Sequence, residues 1–373
     1  MPAGRESWSV MALSAVPIQR GPETECTGGP VGQNDPMPSP VQPQPDALPR
    51  RAKTVSAVLL GAIIGVPLLV ILVPALIIAD VVRLNWRFPL VRVLLFGTWY
   101  LLWEVRAVLS AAVWWVITGF GRGLDQPRSM DFHRRLQRTW AHSLIGAMGK
   151  ILRLELDVDG LDNVPPAGCV LLARHASLVD TLLPIHLFGS RGVVFRYVLK
   201  TELLMDPALD IIGHRFPNYF VDRSGVDSAG ELARITSLAS GTGDEELFVI
   251  FPEGSRFTTP KRVRALEKLD ASDPELAAKA REYITTMPPR LGGPLAAIEA
   301  IEGTDVVVLA HTGLEGLAGL KELIRSVPFR HPVRVAIWRV PNSEIPTDRR
   351  GRELWLFDLW KQVDDWVVAN RAD

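Results

Sequence analysis

His175 and Asp180 stand five positions apart in Leu171-Leu172-Ala173-Arg174-His175-Ala176-Ser177-Leu178-Val179-Asp180, where an apolar run ends. If the run is a buried strand and Ser177 caps the helix after it, the histidine precedes that helix and the aspartate lies in its first turn. The two side chains can then meet. A carboxylate on one imidazole nitrogen fixes the tautomer and leaves the other nitrogen to take a proton from a hydroxyl, which is general-base chemistry. Read singly, a histidine such as His175 is more often a structural imidazole, and Asp180 a carboxylate that complements the helix dipole beside a serine cap. The position at the end of a strand favours the functional reading, because open α/β sheets bind ligands at the carboxyl ends of their strands.

A second cluster, Phe251-Pro252-Glu253-Gly254-Ser255-Arg256, follows the apolar run Leu247-Phe248-Val249-Ile250. Gly254 allows a sharp turn or a close backbone approach to a ligand, and Arg256 offers a forked donor suited to phosphate. Glu253 is either an orienting hydrogen-bond acceptor or a solvated turn residue, and the cluster as a whole also reads as an ordinary turn. In Asn218 to Ser224 an apolar segment delivers Asp222 and Arg223 together. These are either an exposed ion pair or, for Arg223, a second phosphate-binding cation. Lys200, after Val198-Leu199, is a further candidate cation. Cys169 opens an apolar run and reads as a small hydrophobe rather than a nucleophile.

The 373 residues, 47% of them hydrophobic and 22% charged, are enough for one large or two medium domains. Lys+Arg and Asp+Glu both total 41, which leaves no long-range footprint for nucleic acid, so an anionic ligand must be held by local basic groups. Cys26 and Cys169 form no disulfide framework, a usage compatible with a reducing compartment, and the histidines show no metal-ligand spacing; no metal is expected. The sequence has no G-x-S-x-G elbow, no phosphate loop of the G-x-x-x-x-G-K-[ST] type and no G-x-G-x-x-G signature, which weighs against serine hydrolases, nucleotide hydrolases and dehydrogenases.

Residues 1–50, rich in Pro, Gly, Gln and Ser, read as a disordered tail. Residues 51–121 read as a membrane-anchoring helical region. Thr54 to Ala79 carries no charge, and Val58 to Ile78 is long enough to span a bilayer, with Pro67 and Pro74 expected to bend it. Leu90 to Phe120 is interrupted by Glu104 and Arg106 and rich in Trp, and reads as a second helix that returns or lies shallowly. Basic residues flank the first span on both sides, Arg50, Arg51 and Lys53 against Arg83, Arg87 and Arg92, and give no orientation.

From residue 122 to 373 the pattern is that of an α/β domain with a mixed central sheet flanked by helices, preceded by the N-terminal membrane helix or helical hairpin. Strands are expected at Leu154–Val158, Cys169–Ala173, Gly192–Leu199, Leu247–Phe251, Val306–Ala310 and Val333–Arg339. Helices are expected at Met130–Leu154, Ala229–Ser240, Pro274–Tyr283 and Arg352–Ala369.

The H-x-x-x-x-D stretch His175 to Asp180, followed by Phe251 to Arg256, resembles the two leading motifs of the 1-acylglycerol-3-phosphate acyltransferases, the glycerolipid and lysophospholipid acyltransferase family. Asn218 to Arg223 is similar to the intervening substrate-binding motif, the N-terminal hairpin is similar as well, and Met287-Pro288-Pro289-Arg290 with Gly292-Gly293 resembles a feature of the lysophospholipid branch. The resemblance covers about residues 130 to 345.

It implies that His175 is a general base oriented by Asp180, acting on an acceptor hydroxyl that attacks an acyl thioester. Arg223 and Arg256 would hold the phosphate of a lysolipid and Glu253 would help to fix it. Backbone amides near Gly254 and Ser255 would stabilise the oxyanion. Lys200 and Asp222 are further candidates. The implied reaction moves an acyl chain from acyl-CoA or acyl carrier protein, as co-substrate and with no cofactor, to the sn-2 hydroxyl of lysophosphatidic acid. The partners would be lysophospholipid, donor and membrane lipid, with the active domain on the cytoplasmic face and no nucleic acid.

Three departures bear on the acceptor: Arg174 where many members have Asn, Phe257 after Arg256 where a small polar residue is common, and no proline in Val307 to Gly313. The alternatives are the same chemistry on another lysophospholipid or a glycolipid, and a catalytically silent lipid-binding membrane protein.

Overall fold

The computed structural model describes residues 47–165, 167–221, 228–301, 303–317 and 319–372. The greater part of the expected tail therefore lies outside the described residues. The first helices are α1 (Ala47–Val82), α2 (Pro89–Ile117) and α3 (Pro127–Ala147). Then come β1 (Leu156–Asp159), β2 (Cys169–Ala173), α4 (Leu182–Phe188), β3 (Val194–Lys200), α5 (Pro207–Gly213) and β4 (Tyr219–Val221). The rest is α6 (Ser228–Ser240), β5 (Glu246–Ile250), α7 (Thr259–Ser272), α8 (Pro274–Arg281), α9 (Gly292–Ala300), β6 (Val306–Thr312), α10 (Leu320–Ser326), β7 (Val333–Val340) and α11 (Arg349–Asn370).

The strands form one mixed sheet in the order β1-β7-β6-β2-β5-β3-β4, parallel throughout except for the antiparallel pair β6/β7. The central strands read as unbroken apolar runs because helices cover both faces. Their side chains alternate between two cores. Leu171, Val249 and Leu309 pack on the side of α3, α4 and α5, while Leu172, Phe248 and Val308 pack on the side of α6, α9 and α11. The parallel register sets Leu172 beside Ile250 and Ala173 beside Leu309, so β2, β5 and β6 end at one edge of the sheet. That edge is where the two motifs fall.

The expected strands are all present within two or three residues. The short edge strand β4 is not among the expected ones, since Tyr219, Phe220 and Val221 give too few residues for an alternating pattern. The amphipathic helix expected over Met130–Leu154 starts earlier, with Pro127 at its first turn, and ends at Ala147, where a π-helical turn Met148–Leu152 takes over and Arg153 adopts φ 59°.

α1 continues through Pro67 and Pro74 and turns back as α2, which packs along it. Its apolar side chains face outward: Leu60, Ile63, Ile64, Val70, Ile71 and Ile78 are exposed. Both helices are long and apolar enough to cross a membrane, and an apolar surface of this extent, with none of the most apolar window of α1 buried in the protein, makes this a membrane-bound chain.

Glu104, costly on a lipid-facing helix, is instead buried against the α/β domain, where it accepts the indole N–H of Trp140 at 3.0 Å and the backbone N–H of Ala208 at 3.1 Å. Arg106 lies over the Trp103 ring, 4.4 Å from its centroid. Near the start of α1, Arg50 and Arg51 pair with the buried Asp210 of α5 at 3.0 and 2.9 Å. After its end, Arg87 donates to the Pro328 carbonyl at 3.3 Å and Arg92 to that of Ile151 at 2.5 Å. Both ends of the hairpin therefore meet the same α/β domain.

Candidate active site

β2 delivers Arg174 and His175 to the carboxyl edge of the sheet, and the chain then folds back in a 3₁₀ turn, Val179–Thr181. Ser177 does not cap a regular helix. Its hydroxyl accepts the Val179 N–H at 3.1 Å and donates to Asp180 Oδ1 at 2.6 Å, so it serves the carboxylate as much as the turn. Asp180 Oδ2 accepts the backbone N–H groups of Ala176 and Ser177 at 2.6 and 2.7 Å, and His175 Nδ1 at 3.1 Å. The aspartate thus closes the loop that carries the histidine.

Burial works against the Asp180 charge, but His311, His175 and Ser177 outweigh it and hold the carboxyl below its ordinary range. An ionised Asp180 requires the proton on His175 Nδ1, which leaves Nε2 as the basic nitrogen. The imidazole lies beside Phe251, with ring centroids 5.2 Å apart, and lines a cleft of about 920 Å³.

The second motif enters from the neighbouring strand β5. Glu253 is 2% exposed, and each of its oxygens is engaged: Oε1 accepts the His175 N–H at 2.8 Å, and Oε2 the Met287 N–H at 2.9 Å. It is not among the residues that line the cleft, and its two oxygens hold backbone N–H groups, one of them the histidine's own. Burial raises its carboxyl to about 7 against the opposing pull of Arg174 and the two N–H donors.

Gly254 turns with φ +65°, and a Cβ there would meet Arg290 Nε at 2.6 Å. Its N–H donates to the Phe251 carbonyl at 3.0 Å, so this amide is occupied within the turn. Gly254, Arg256, Lys200 and Arg290 all line the cleft with His175, whereas Ser255 is half-buried beside it. Apolar walls come from Leu178, Leu199, Leu203, Leu232, Ile235 and Ile250. Asp222 and Arg223 lie outside the described residues.

Arg174 turns away from the cleft. Its guanidinium donates to the His311 carbonyl and to Glu315 Oε1, both at 2.6 Å, and it is 3% exposed. The departure from the family pattern at this position therefore sits behind the histidine and not on the cleft wall. Sequence reasoning missed His311 and Glu315. The signal was available for His311, which ends the apolar run of β6 as His175 ends that of β2, but nothing in the sequence said that the two strands are neighbours.

A family profile described as "Acyltransferase" matches residues 155–310. A crystal structure of the 1-acyl-sn-glycerophosphate (LPA) acyltransferase PlsC from Thermotoga maritima is similar to this chain at 16% identity, over 73% of this chain and 98% of that one, with a TM-score of 0.44. No curated protein matches the chain significantly. The profile begins one residue before β1 and ends within β6, so over that stretch, which takes in both motif loops, the chain is similar to the acyltransferases.

Proposed function

We propose that this chain transfers an acyl group from acyl-CoA or acyl carrier protein to the sn-2 hydroxyl of lysophosphatidic acid, giving phosphatidic acid. His175 Nε2 takes the hydroxyl proton as the acceptor oxygen attacks the thioester carbonyl. The oxyanion that forms is stabilised by an amide of the second motif turn, for which the Ser255 N–H is the candidate. Collapse breaks the C–S bond, and the departing thiolate receives the proton from His175. Arg256 and, from outside the described residues, Arg223 hold the acceptor phosphate, with Lys200 as a further cation; Asp222 is a further candidate for the substrate site.

The observation that carries this reading is the composition of the cleft: one imidazole, a set of cations and apolar walls share a single space, as an amphipathic anion with a reacting hydroxyl requires. Residues 51–121 serve as the membrane anchor and 122–373 as the acyltransferase domain, placed on the cytoplasmic face where soluble acyl donors are supplied. A hydrocarbon core about 30 Å thick would separate Arg50 from Arg87 if α1 crossed it, yet both touch the same domain. This supports a hairpin embedded from one side.

Acyl transfer to lysophosphatidate by the purified protein, with His175→Ala beside it, tests the reading. The variant should be slower by roughly 10²- to 10⁴-fold; full activity would remove His175 as the base. Glu202 and Glu231 on the same cleft favour a second reading, an acceptor whose head group extends beyond phosphate with hydroxyl or amine donors. A panel of lysophospholipids with one donor separates the two.

A further inference from the structure

Asp180 carries a second imidazole. His311, at the carboxyl end of β6, is fully buried, and its Nε2 lies 3.4 Å from Asp180 Oδ1 and 3.1 Å from the Arg174 carbonyl. Both neighbours are acceptors, so Nε2 carries the ring proton, hydrogen-bonded to the Arg174 carbonyl with the Asp180 carboxylate close by. Nδ1 is then a lone pair, and it is buried without a hydrogen-bond partner. The carbonyl belongs to the residue just before His175, and the carboxylate to the group that orients His175. One N–H thus ties the two ends of the loop that carries the base.

We propose that His311 is a positioning residue for acyl transfer, its Nε2–H holding Asp180 and the Arg174 carbonyl in the arrangement that aims His175 into the cleft. The inference rests on the reading of His175 and Asp180 as base and orienter. Burial, against the opposing pull of Asp180, and the nearby Arg174 keep the His311 ring below its ordinary range, and the buried Nδ1 has no acceptor for a second proton, so the ring serves as a neutral donor. Arg174 strengthens the arrangement from the other side, because it donates to the backbone carbonyl of His311 itself. The strand carrying His311 and the loop carrying His175 are therefore joined in both directions, from Arg174 to His311 and from His311 back to Arg174 and Asp180.

The test separates the donor from its bulk. His311→Leu fills the space without a donor, whereas His311→Gln places an amide N–H near the position of Nε2. With kcat and acceptor KM measured for both, His311→Leu should lose about 10- to 100-fold in kcat with KM little changed, the scale of a misplaced reacting group. His311→Gln should recover most of that loss. Equal losses in the two variants, or none in His311→Leu, would overturn the proposal.

A measurement on the unmodified sequence guards against a variant that fails to fold. In the imidazole-¹⁵N-labelled protein, His311 should give the signature of an Nε2–H neutral ring, and an Nδ1–H ring would equally overturn the idea. If the His175→Ala control keeps full activity, it is the base assignment that has failed, and the tautomer of His311 still reports on the bond itself.

Discussion

Glu253 Oε1 accepts the backbone N–H of His175 at 2.8 Å, so the motif that closes β5 fixes the main chain of the motif that closes β2. With Oε2 on the Met287 N–H, both carboxyl oxygens act as acceptors. Glu253→Gln is therefore not a conservative change, since its amide must turn an NH₂ group against one of two backbone donors. The expected cost is about 1–3 kcal/mol of stability, together with reduced acyl transfer. Unfolding of the detergent-solubilised variant and its initial rate give both quantities. A variant with the stability and rate of the parent would mean that this clamp does not hold the loop.

The same carboxyl gives a pH dependence. In the unfolded chain a glutamate titrates near ~4.3, whereas burial raises Glu253 to about 7 in the folded protein. Between those values the folded state binds a proton that the unfolded state lacks, so this contribution to stability is full below ~4.3 and declines as pH rises toward 7. The total is on the order of 3 kcal/mol. The stability advantage of the parent over Glu253→Gln should therefore shrink from pH 5 to pH 8, as denaturant titrations at several pH values would show. An advantage that grows over that range contradicts a raised carboxyl. Asp180 has the opposite sign: its folded value is lowered, and its contribution is lost only as pH falls below the usual carboxylate range.

The strands and the two motif loops were legible in the sequence because doubly covered parallel strands are continuous apolar runs, and the residues that end such runs stand out. Strand order was not legible. β2 and β5 are neighbours in the sheet but far apart in the chain, so Glu253 could be seen as a turn carboxylate or a ligand group, yet not as the acceptor for the His175 backbone. The same holds for His311 and for the inward turn of Arg174, both of which depend on β6 lying beside β2. Glu104 looked like a charge in a membrane helix because its partners, Trp140 and the Ala208 amide, belong to elements that only the fold brings near.

Arg256 shares the cleft with His175, and its effect should depend on the acceptor's charge. Arg256→Ala should raise KM for lysophosphatidate at least tenfold, which corresponds to one charge-assisted hydrogen bond of about 1.5–3 kcal/mol. An acceptor with the same acyl chain and no phosphate should be nearly indifferent to the change. Arg256→Lys should restore little, because a point charge does not replace the planar fork. Equal damage with both acceptors would place Arg256 in the support of the loop rather than in phosphate binding.

Ile63, Ile64, Val70 and Ile71 project from α1 away from the protein, so their contribution should appear in membrane binding and not in folding of the sheet. Each buried aliphatic side chain is worth roughly 1.5–3 kcal/mol, and changing all four to Ser removes several kcal/mol of partitioning. In vesicle flotation the fourfold variant should leave the lipid fraction. Its turnover of a short-chain, water-soluble lysophosphatidate should stay close to that of the parent, because none of the four residues touches the cleft. Retained flotation would mean that α2 and the domain surface suffice for attachment, and lost turnover on the soluble acceptor would mean that the hairpin also supports the cleft through α5, which it grips at Asp210.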